Sequence, residues 1–267
     1  GKEPGWGSVI ALPDFPRYRD LHAETAGSLA AAQIEAGGWT RRARCSDRDR
    51  TAVVPPAPGR GRSAPEAPLL ASWNKSTDPD QVRLREYLED TAQLVTPHRT
   101  PDGPWALLLE VGLPTGRDLV DMADLDNYAF PLATRLRDED LVTVWCTKRH
   151  ADTSRVLVAP AHETTGPSTY TVRTTASATT TAYKEQVRSA VVDAAAIPDG
   201  PVQLQLAFVV GPKRNWLTLW KPTIDALDPL LGRTREDRDW HPRDGRITDL
   251  GLHVAVDPLL GHDIVVG

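Results

Sequence analysis

The tetrapeptide Pro-Asp-Gly-Pro occurs twice in this 267-residue chain, each time before an apolar segment. This repeat constrains the fold more than any other feature of the sequence. The segment PDGPWALLLEV begins at Pro101, and the segment PDGPVQLQLAF begins at Pro198. In the second segment, apolar Leu204 and Leu206 alternate with polar residues such as Gln205, which is typical of a strand with one buried face. The first segment is apolar nearly throughout, and this composition indicates a strand that is buried on both faces.

The elements around the two PDGP segments follow one order. Each copy has a short strand, a helix, the PDGP strand, a second helix and two more strands. The predicted elements are 68–73, 81–95, 105–111, 126–136, 141–147 and 155–160 in the first copy, and 169–174, 182–196, 204–210, 217–227, 247–256 and 263–266 in the second. With N-caps at Asn127 and Thr218, Pro131 and Pro222 fall in the first helical turn, where proline is tolerated. We therefore predict an α+β chain with two tandem units, residues 67–164 and 165–267, which form a pseudo-twofold dimer.

Residues 1–66 precede these units as an N-terminal extension. The segment 18–38 has a helix-forming composition and ends in Gly-Gly, which is typical of a helix stop. Residues 55–68 are rich in Pro, Gly and Arg, and this composition indicates a linker. The arginine-rich stretch 41–50 is compatible with a solvated loop or with a basic arm that contacts phosphate, and the sequence leaves both open.

Composition and charge narrow the class of protein. The formal net charge is −5, so a nuclease with this sequence would have to concentrate its basic residues locally. Two cysteines, Cys45 and Cys146, make neither a disulfide framework nor a cysteine-based zinc site. No apolar run reaches the ~18 residues of a membrane span, and the first ten residues lack a signal-peptide pattern. We therefore expect a cytoplasmic protein that has no membrane partner.

The stretch Asp124-Leu125-Asp126-Asn127 lies at the start of the second predicted helix of the first unit. The simplest interpretation is a helix N-cap formed by Asp126 and Asn127. The alternative is a metal site, because side chains two residues apart on an extended segment point to the same side, ~6.5 Å apart. Two adjacent carboxylates resist crowding without a cation, and hard oxygen ligands of this kind suit Mg²⁺.

This motif and the element order resemble the RusA-like Holliday-junction resolvases, which are homodimeric, magnesium-dependent endonucleases of DNA recombination. The family pattern is a strand, then D-x-D-N-x-x-K-x-x-x-D-x-L at a helix start, then a further Asp and two strands with a basic residue between them. The resemblance covers residues 67–267 and leaves residues 1–66 unexplained. In the first unit Asp124, Asp126 and Asn127 match the pattern, but Phe130 stands at the lysine position.

The second unit carries the complementary part of the family pattern. Asn215 and Leu217 stand at the two carboxylate positions, whereas Lys221, Asp225 and Leu227 are in register. Neither unit is complete, and each has what the other lacks. A homodimer must encode the whole motif in every unit, but a fused duplicate can divide one motif between its two halves.

The resemblance implies a role for each matched residue. Asp124 and Asp126 are the expected catalytic carboxylates, and with Asp138, which precedes the strand at 141–147, they are the expected magnesium ligands. Lys221 is the expected catalytic lysine, which meets the negative charge of the transition state. The equivalent of Asp138 in the second unit is Asp244, for which an ordinary turn residue is the simpler interpretation.

The function implied by this resemblance is a metal-dependent endonuclease, a hydrolase that acts on branched or structured DNA as an intramolecular pseudo-dimer. The alternative is a non-catalytic protein that kept the duplicated fold, lost the site, and binds DNA, protein or a small molecule. The incomplete motifs and the negative net charge favour this alternative. A third hypothesis is an unrelated duplicated α+β binding domain in which the motif is accidental. The sequence leaves these hypotheses open.

Overall fold

Strands and helices alternate along the part of the chain that the structure describes. A computed structural model describes residues 9–11, 62–64, 76–98, 103–164 and 169–267. The strands are β1 (Val9–Ala11), β2 (Arg62–Ala64), β3 (Trp105–Leu113), β4 (Leu141–His150), β5 (Ser154–Pro160), β6 (His162–Thr164), β7 (Val172–Thr174), β8 (Val202–Val210), β9 (Ile247–Val256) and β10 (Ile264–Val266). The helices are α1 (Pro79–Val95), α2 (Leu125–Leu136), α3 (Thr181–Ser189), α4 (Trp220–Asp225) and α5 (Asp228–Leu231).

Eight strands form one mixed sheet in the order β2-β5-β3-β4-β9-β8-β10-β7. The pairs β3/β4 and β8/β9 are parallel, and the other neighbours are antiparallel. Helix α2 packs against β4 and β9 in the middle of the sheet, α1 packs against α2 and β5, and α3 packs against β7 and α4. The α+β class predicted from the sequence is confirmed.

The two halves of the sheet have the same internal strand order. From the edge to the centre, the first half has β2, β5, β3 and β4, and the second half has β7, β10, β8 and β9. The central β4/β9 ladder is symmetric about the Trp145↔Gly251 pair. Each parallel ladder has an irregularity after its first residue, at Trp105 in β3 and at Val202 in β8.

Gly103 and Gly200, the third residues of the two PDGP segments, lie just before the parallel strands β3 and β8. Gly103 has a φ of 95° and Gly200 has a φ of 124°. Such positive φ values are readily adopted only by glycine, which explains why glycine occupies the third position of both segments.

The central strands have the burial that their sequences predict. All nine residues of β3 are buried, as expected for a strand between two neighbours and below helices. In β8 the residues alternate, with Leu206 buried and Gln205 exposed. The strand β9 begins and ends at the predicted residues, whereas β7 is shorter than predicted.

Helix α1 begins two residues before its predicted start because Asp78 caps it. The Asp78 Oδ1 accepts from the Asp80 backbone N–H at 2.9 Å, and Pro79 occupies the first helical position. Helix α3 ends at Ser189, earlier than predicted. Beyond it, the Val191 N–H bonds to the Arg188 carbonyl, so the chain tightens into three-residue turns.

The second helix of each unit begins earlier than predicted. Asp124 and Asn215, rather than Asn127 and Thr218, are the N-cap residues. Pro131 therefore lies inside α2 rather than in its first turn.

The predicted single helix 217–227 is wrong. Residues 216–219 form a 3₁₀ turn, α4 follows, and α5 begins at Asp228. Two prolines account for the division, because Pro222 has no N–H for the carbonyl four residues earlier and Pro229 favours the start of a new helix.

Two short strands connect the N-terminal extension to the rest of the chain. β2 pairs with β5, so the sheet already includes residues before the predicted boundary at 67, and β1 pairs with β6. The predicted helix 18–38, the linker, the strand 68–73 and Cys45 lie outside the described residues, apart from Arg62–Ala64. Within the described ranges, no helix combines the length and the apolar character that a bilayer crossing requires.

Candidate metal centre

Three carboxylates from distant parts of the chain converge at one point. Asp124 and Asp126 lie at the start of α2, and Asp244 lies in the 3₁₀ turn Asp244–Arg246 directly before β9. One oxygen of each carboxylate lies within 4.8 Å of the other two, so the three residues could hold a metal ion. Asp124 is half-buried, whereas Asp126 is only 6% exposed. Asp124 and Asp126 come from the half of the chain that contains β4, and Asp244 comes from the half that contains β9. The cluster therefore includes residues of both halves.

A sharp bend in the backbone brings Asp124 and Asp126 together. Met122 and Ala123 have φ values of 61° and 53°, in the left-handed region. Asp124 is then extended, and the helix begins at Leu125, whose side chain is buried. Asp126 therefore lies in the first helical turn and not in an extended segment, so the two carboxylates meet through this bend rather than through strand alternation.

Asn127 supports the cluster without capping the helix itself. Its Nδ2 donates to the Asp124 Oδ2 at 3.3 Å, and its backbone N–H donates to the Asp124 carbonyl at 3.1 Å. The side chain of Asn127 thus helps to fix the orientation of the Asp124 carboxylate.

Gly245 lets the turn that carries Asp244 approach the loop before α2. A Cβ at this position would lie 2.7 Å from the Met122 backbone nitrogen and 3.3 Å from the Asp124 Oδ1. Any larger residue would push the two segments apart, so this close contact places the Asp244 carboxylate beside Asp124.

Lys221 of α4 lies beside the three carboxylates. Its Nζ is 2.8 Å from the Asp244 Oδ2 and 3.0 Å from the Asp225 Oδ1. Burial lowers the pKa of Lys221, but Asp244, Asp126 and Asp225 raise it more, so that the pKa lies above its ordinary value. The structure thus brings Lys221 together with Asp124 and Asp126, although they come from different halves of the chain.

Burial and neighbouring negative charge raise the pKa values of two carboxylates in the cluster. Burial and, next, the Asp244 carboxylate raise the pKa of Asp124 to about 6. Burial also raises the pKa of Asp126 to about 6, against the lowering effect of Lys221. A divalent cation would stabilise the charged forms of both groups, since an opposite charge at short range favours ionisation.

Asp138 lies outside this cluster, although the family resemblance makes it a metal ligand. Its Oδ1 accepts from the Trp105 Nε1 at 2.9 Å and from the backbone N–H groups of Asp140 and Leu141 at 3.1 Å and 3.0 Å. Asp138 therefore stabilises the turn between α2 and β4. Its equivalent in the second half, Asp244, occupies the place in the cluster.

The equivalent positions on the other side of the ladder are largely apolar. Asn215, at the position of Asp124, uses its side chain to cap a turn and accepts from the Leu217 N–H at 3.3 Å. Leu217, at the position of Asp126, is 1% exposed. Phe130, at the position of Lys221, stacks edge-to-face on Trp220 at 6.2 Å. Among the residues that the structure describes, no second group of carboxylates converges at this counterpart.

Two residues of the centre are not predicted from the sequence as functional. Asp244 lies in HPRDGR, where a turn aspartate needs no other explanation, and only the repeat alignment marks it. Lys148 is 4% exposed and donates to backbone carbonyls beside two of the carboxylates. The stretch 147–158 resembles the family's turn between the last two strands, which carries a basic residue, but this resemblance does not single out Lys148.

No family model, curated protein or solved structure matches this chain. The geometry of its own residues therefore carries the functional argument.

Proposed function

We propose that this chain is a metal-dependent endonuclease with one composite active centre, acting on branched or structured DNA in the cytoplasm. The observation that carries the proposal is the convergence of Asp124, Asp126 and Asp244, with Lys221 bonded to one of them. Carboxylate oxygens beside a half-exposed lysine suit hard divalent ions and phosphate chemistry.

Part of this proposal is an internal duplication. The same edge-to-centre strand order in both halves, the symmetric β4/β9 register and the matching irregularities at Trp105 and Val202 all support it. So do the positive φ values of Gly103 and Gly200. In this proposal, residues 62–160 and 172–266 form an intramolecular pseudo-dimer like the homodimer of the RusA-like resolvases, and the centre lies between its halves.

The donor set fits magnesium, because all three side chains offer carboxylate oxygens and none offers sulfur or imidazole nitrogen. An ion held by Asp124, Asp126 and Asp244 would polarise a phosphoryl oxygen and would lower the pKa of an attacking water. Asn127 keeps the Asp124 carboxylate oriented. Lys221 presents N–H donors to the negative charge that develops on the phosphate during cleavage.

Cleavage of a synthetic four-way DNA junction in the presence of Mg²⁺ tests the proposal. We expect the wild-type protein to cut the junction, and Asp126→Asn and Lys221→Ala each to lose at least about a hundredfold in rate. Asp138→Asn is the matched control, because it makes the same chemical change at an aspartate that lies outside the cluster, and it should leave the rate unchanged. No cleavage by wild-type protein, or equal loss in the control, would contradict the proposal.

A second candidate is a protein that binds DNA, protein or a small molecule without cleaving it. Two observations favour it: Lys221 already pairs with Asp244 and Asp225, and Asp126 is almost inaccessible. An ion-pair network of this kind can have a purely structural role, without binding a metal or a substrate. Junction binding that is equally tight with Mg²⁺ and with EDTA, without cleavage, would favour this second function.

A further inference from the structure

We propose that Lys148 is a positioning residue that holds the two halves of the metal centre together. This proposal rests on the proposed function, since it concerns how Asp124 and Asp244 come to face one ion. Lys148 belongs to β4, in the first half of the sheet, and is almost completely buried.

The ammonium of Lys148 joins the two segments that carry the carboxylates. Its Nζ donates to the Met122 carbonyl at 2.9 Å and to the Ala123 carbonyl at 3.2 Å. It also donates to the carbonyl of Gly245 in the second half. Ala123 directly precedes Asp124, and Gly245 directly follows Asp244. One side chain thus fixes the backbone next to a carboxylate on each side.

The backbone that Lys148 holds is unfavourable by itself. Met122 and Ala123 are consecutive left-handed residues with side chains, and this conformation is costly for L-amino acids. Their two carbonyls point at the same ammonium, so the hydrogen bonds select the bend that starts α2 at Leu125. Without these bonds, the bend has less to stabilise it, and the direction of the Asp124 carboxylate is less well defined.

Position and charge make opposite predictions for Lys148. A cation beside a metal site repels the ion, so as a charge alone Lys148 weakens metal binding. As a clamp between two segments, it strengthens binding by fixing the ligands in place. Burial lowers the pKa of Lys148 to about 8, and its N–H groups donate to carbonyls rather than to carboxylates.

The sign of the change in Mn²⁺ affinity separates the two roles. Lys148→Met keeps an unbranched side chain but removes the N–H donors of the ammonium. We expect Mn²⁺ binding to be at least about tenfold weaker in a calorimetric titration. Gly245→Ala attacks the same contact from the other segment, because its Cβ would collide with the Met122 nitrogen. We expect Gly245→Ala to weaken Mn²⁺ binding as well. Its circular dichroism spectrum should be that of the wild type, which would show that the fold is intact.

Ser154→Ala is the matched control for general loss of stability. It removes a buried hydrogen bond, from the Gly112 N–H to the Ser154 Oγ, outside the three carboxylates. We expect its Mn²⁺ affinity to be that of the wild type. Unchanged or tighter Mn²⁺ binding by both Lys148→Met and Gly245→Ala would overturn the positioning role.

Amide hydrogen exchange without metal provides a readout that does not depend on the proposed function. In Lys148→Met we expect faster exchange in the segments 121–127 and 243–247, and unchanged exchange in β8. Unchanged exchange in the two segments would overturn the role of Lys148. If the wild type bound no Mn²⁺ but Lys148→Met showed this local change, the proposed metal centre would fail while the structural clamp stood.

Discussion

The candidate metal centre and its counterpart across the β4/β9 ladder occupy equivalent positions in the two halves of the sheet but have opposite chemistry. At the centre, Asp126 is buried beside other carboxylates, and Lys221 neutralises only part of their charge. At the counterpart, Leu217 and Phe130 stand in the places of these two residues, and Trp220 packs against Phe130. Corresponding positions in the two halves thus carry charged side chains on one side and largely apolar side chains on the other.

The difference shows how the two sides contribute to stability. Burial of apolar side chains such as Leu217 stabilises the folded state, by about 1.5–3 kcal/mol for a fully buried leucine. Burial of adjacent carboxylates without a cation opposes folding. We therefore expect the counterpart to stabilise the fold and the centre to weaken it until an ion binds, as functional sites often do.

The largest expected effect comes from giving the counterpart the residue of the centre. Leu217→Asp places a carboxylate at an apolar position that is 1% exposed, and we expect a loss of at least about 3 kcal/mol in the free energy of unfolding. Asp126→Leu, the reverse exchange, should cost far less in EDTA because it removes a crowded charge. Urea unfolding of both variants measures the difference, and equal losses would break the comparison.

A smaller effect is expected from metal at the centre alone. At pH 8, Mg²⁺ at a hundred times its dissociation constant should raise the free energy of unfolding by about 2.7 kcal/mol. At pH 5 the gain should be small, because the pKa values of Asp124 and Asp126 are about 6 and both are largely protonated there. Thermal unfolding with and without Mg²⁺ tests this, and Asp126→Asn, as the control, should show little gain at either pH.

The smallest effect concerns the metal-free protein across pH. Asp126 ionises near 4 when unfolded and near 6 when folded, so the folded state binds more protons between these values. Its contribution to stability is present below about pH 4 and is lost as the pH rises through about 6. Asp126→Asn removes this dependence, and we expect the variant in EDTA to exceed the wild type by about 1 kcal/mol or more at pH 8. A wild type that gains stability across this range would contradict the shift.

Much of the fold follows from local sequence patterns. The apolar run after Pro104 predicts β3, and the alternation of apolar and polar residues in 204–210 predicts β8. Both patterns can be read from residues that are close together in the sequence. Helix boundaries are predicted less well, because Asp124 and Asn215 compete with Asn127 and Thr218 as N-caps, and both types are suitable.

The candidate site is only partly predictable because its members meet through the tertiary fold. Asp124 and Asp126 are marked by a local motif, and Lys221 by the comparison of the two halves. Asp138 and Asp244 stand at equivalent places in the sequence, and only the structure shows that Asp244 reaches the cluster while Asp138 bonds to Trp105. Lys148 donates to backbone carbonyls, and contacts of this kind cannot be read from a sequence pattern.

The most direct test of a single composite centre is an anomalous difference map from crystals soaked in Mn²⁺. The account predicts one Mn²⁺ peak, bounded by the carboxylates of Asp124, Asp126 and Asp244, and no peak at Asn215 and Asp138 in the counterpart. A soaked crystal with no peak between the three carboxylates, or with a peak at the counterpart instead, would contradict it.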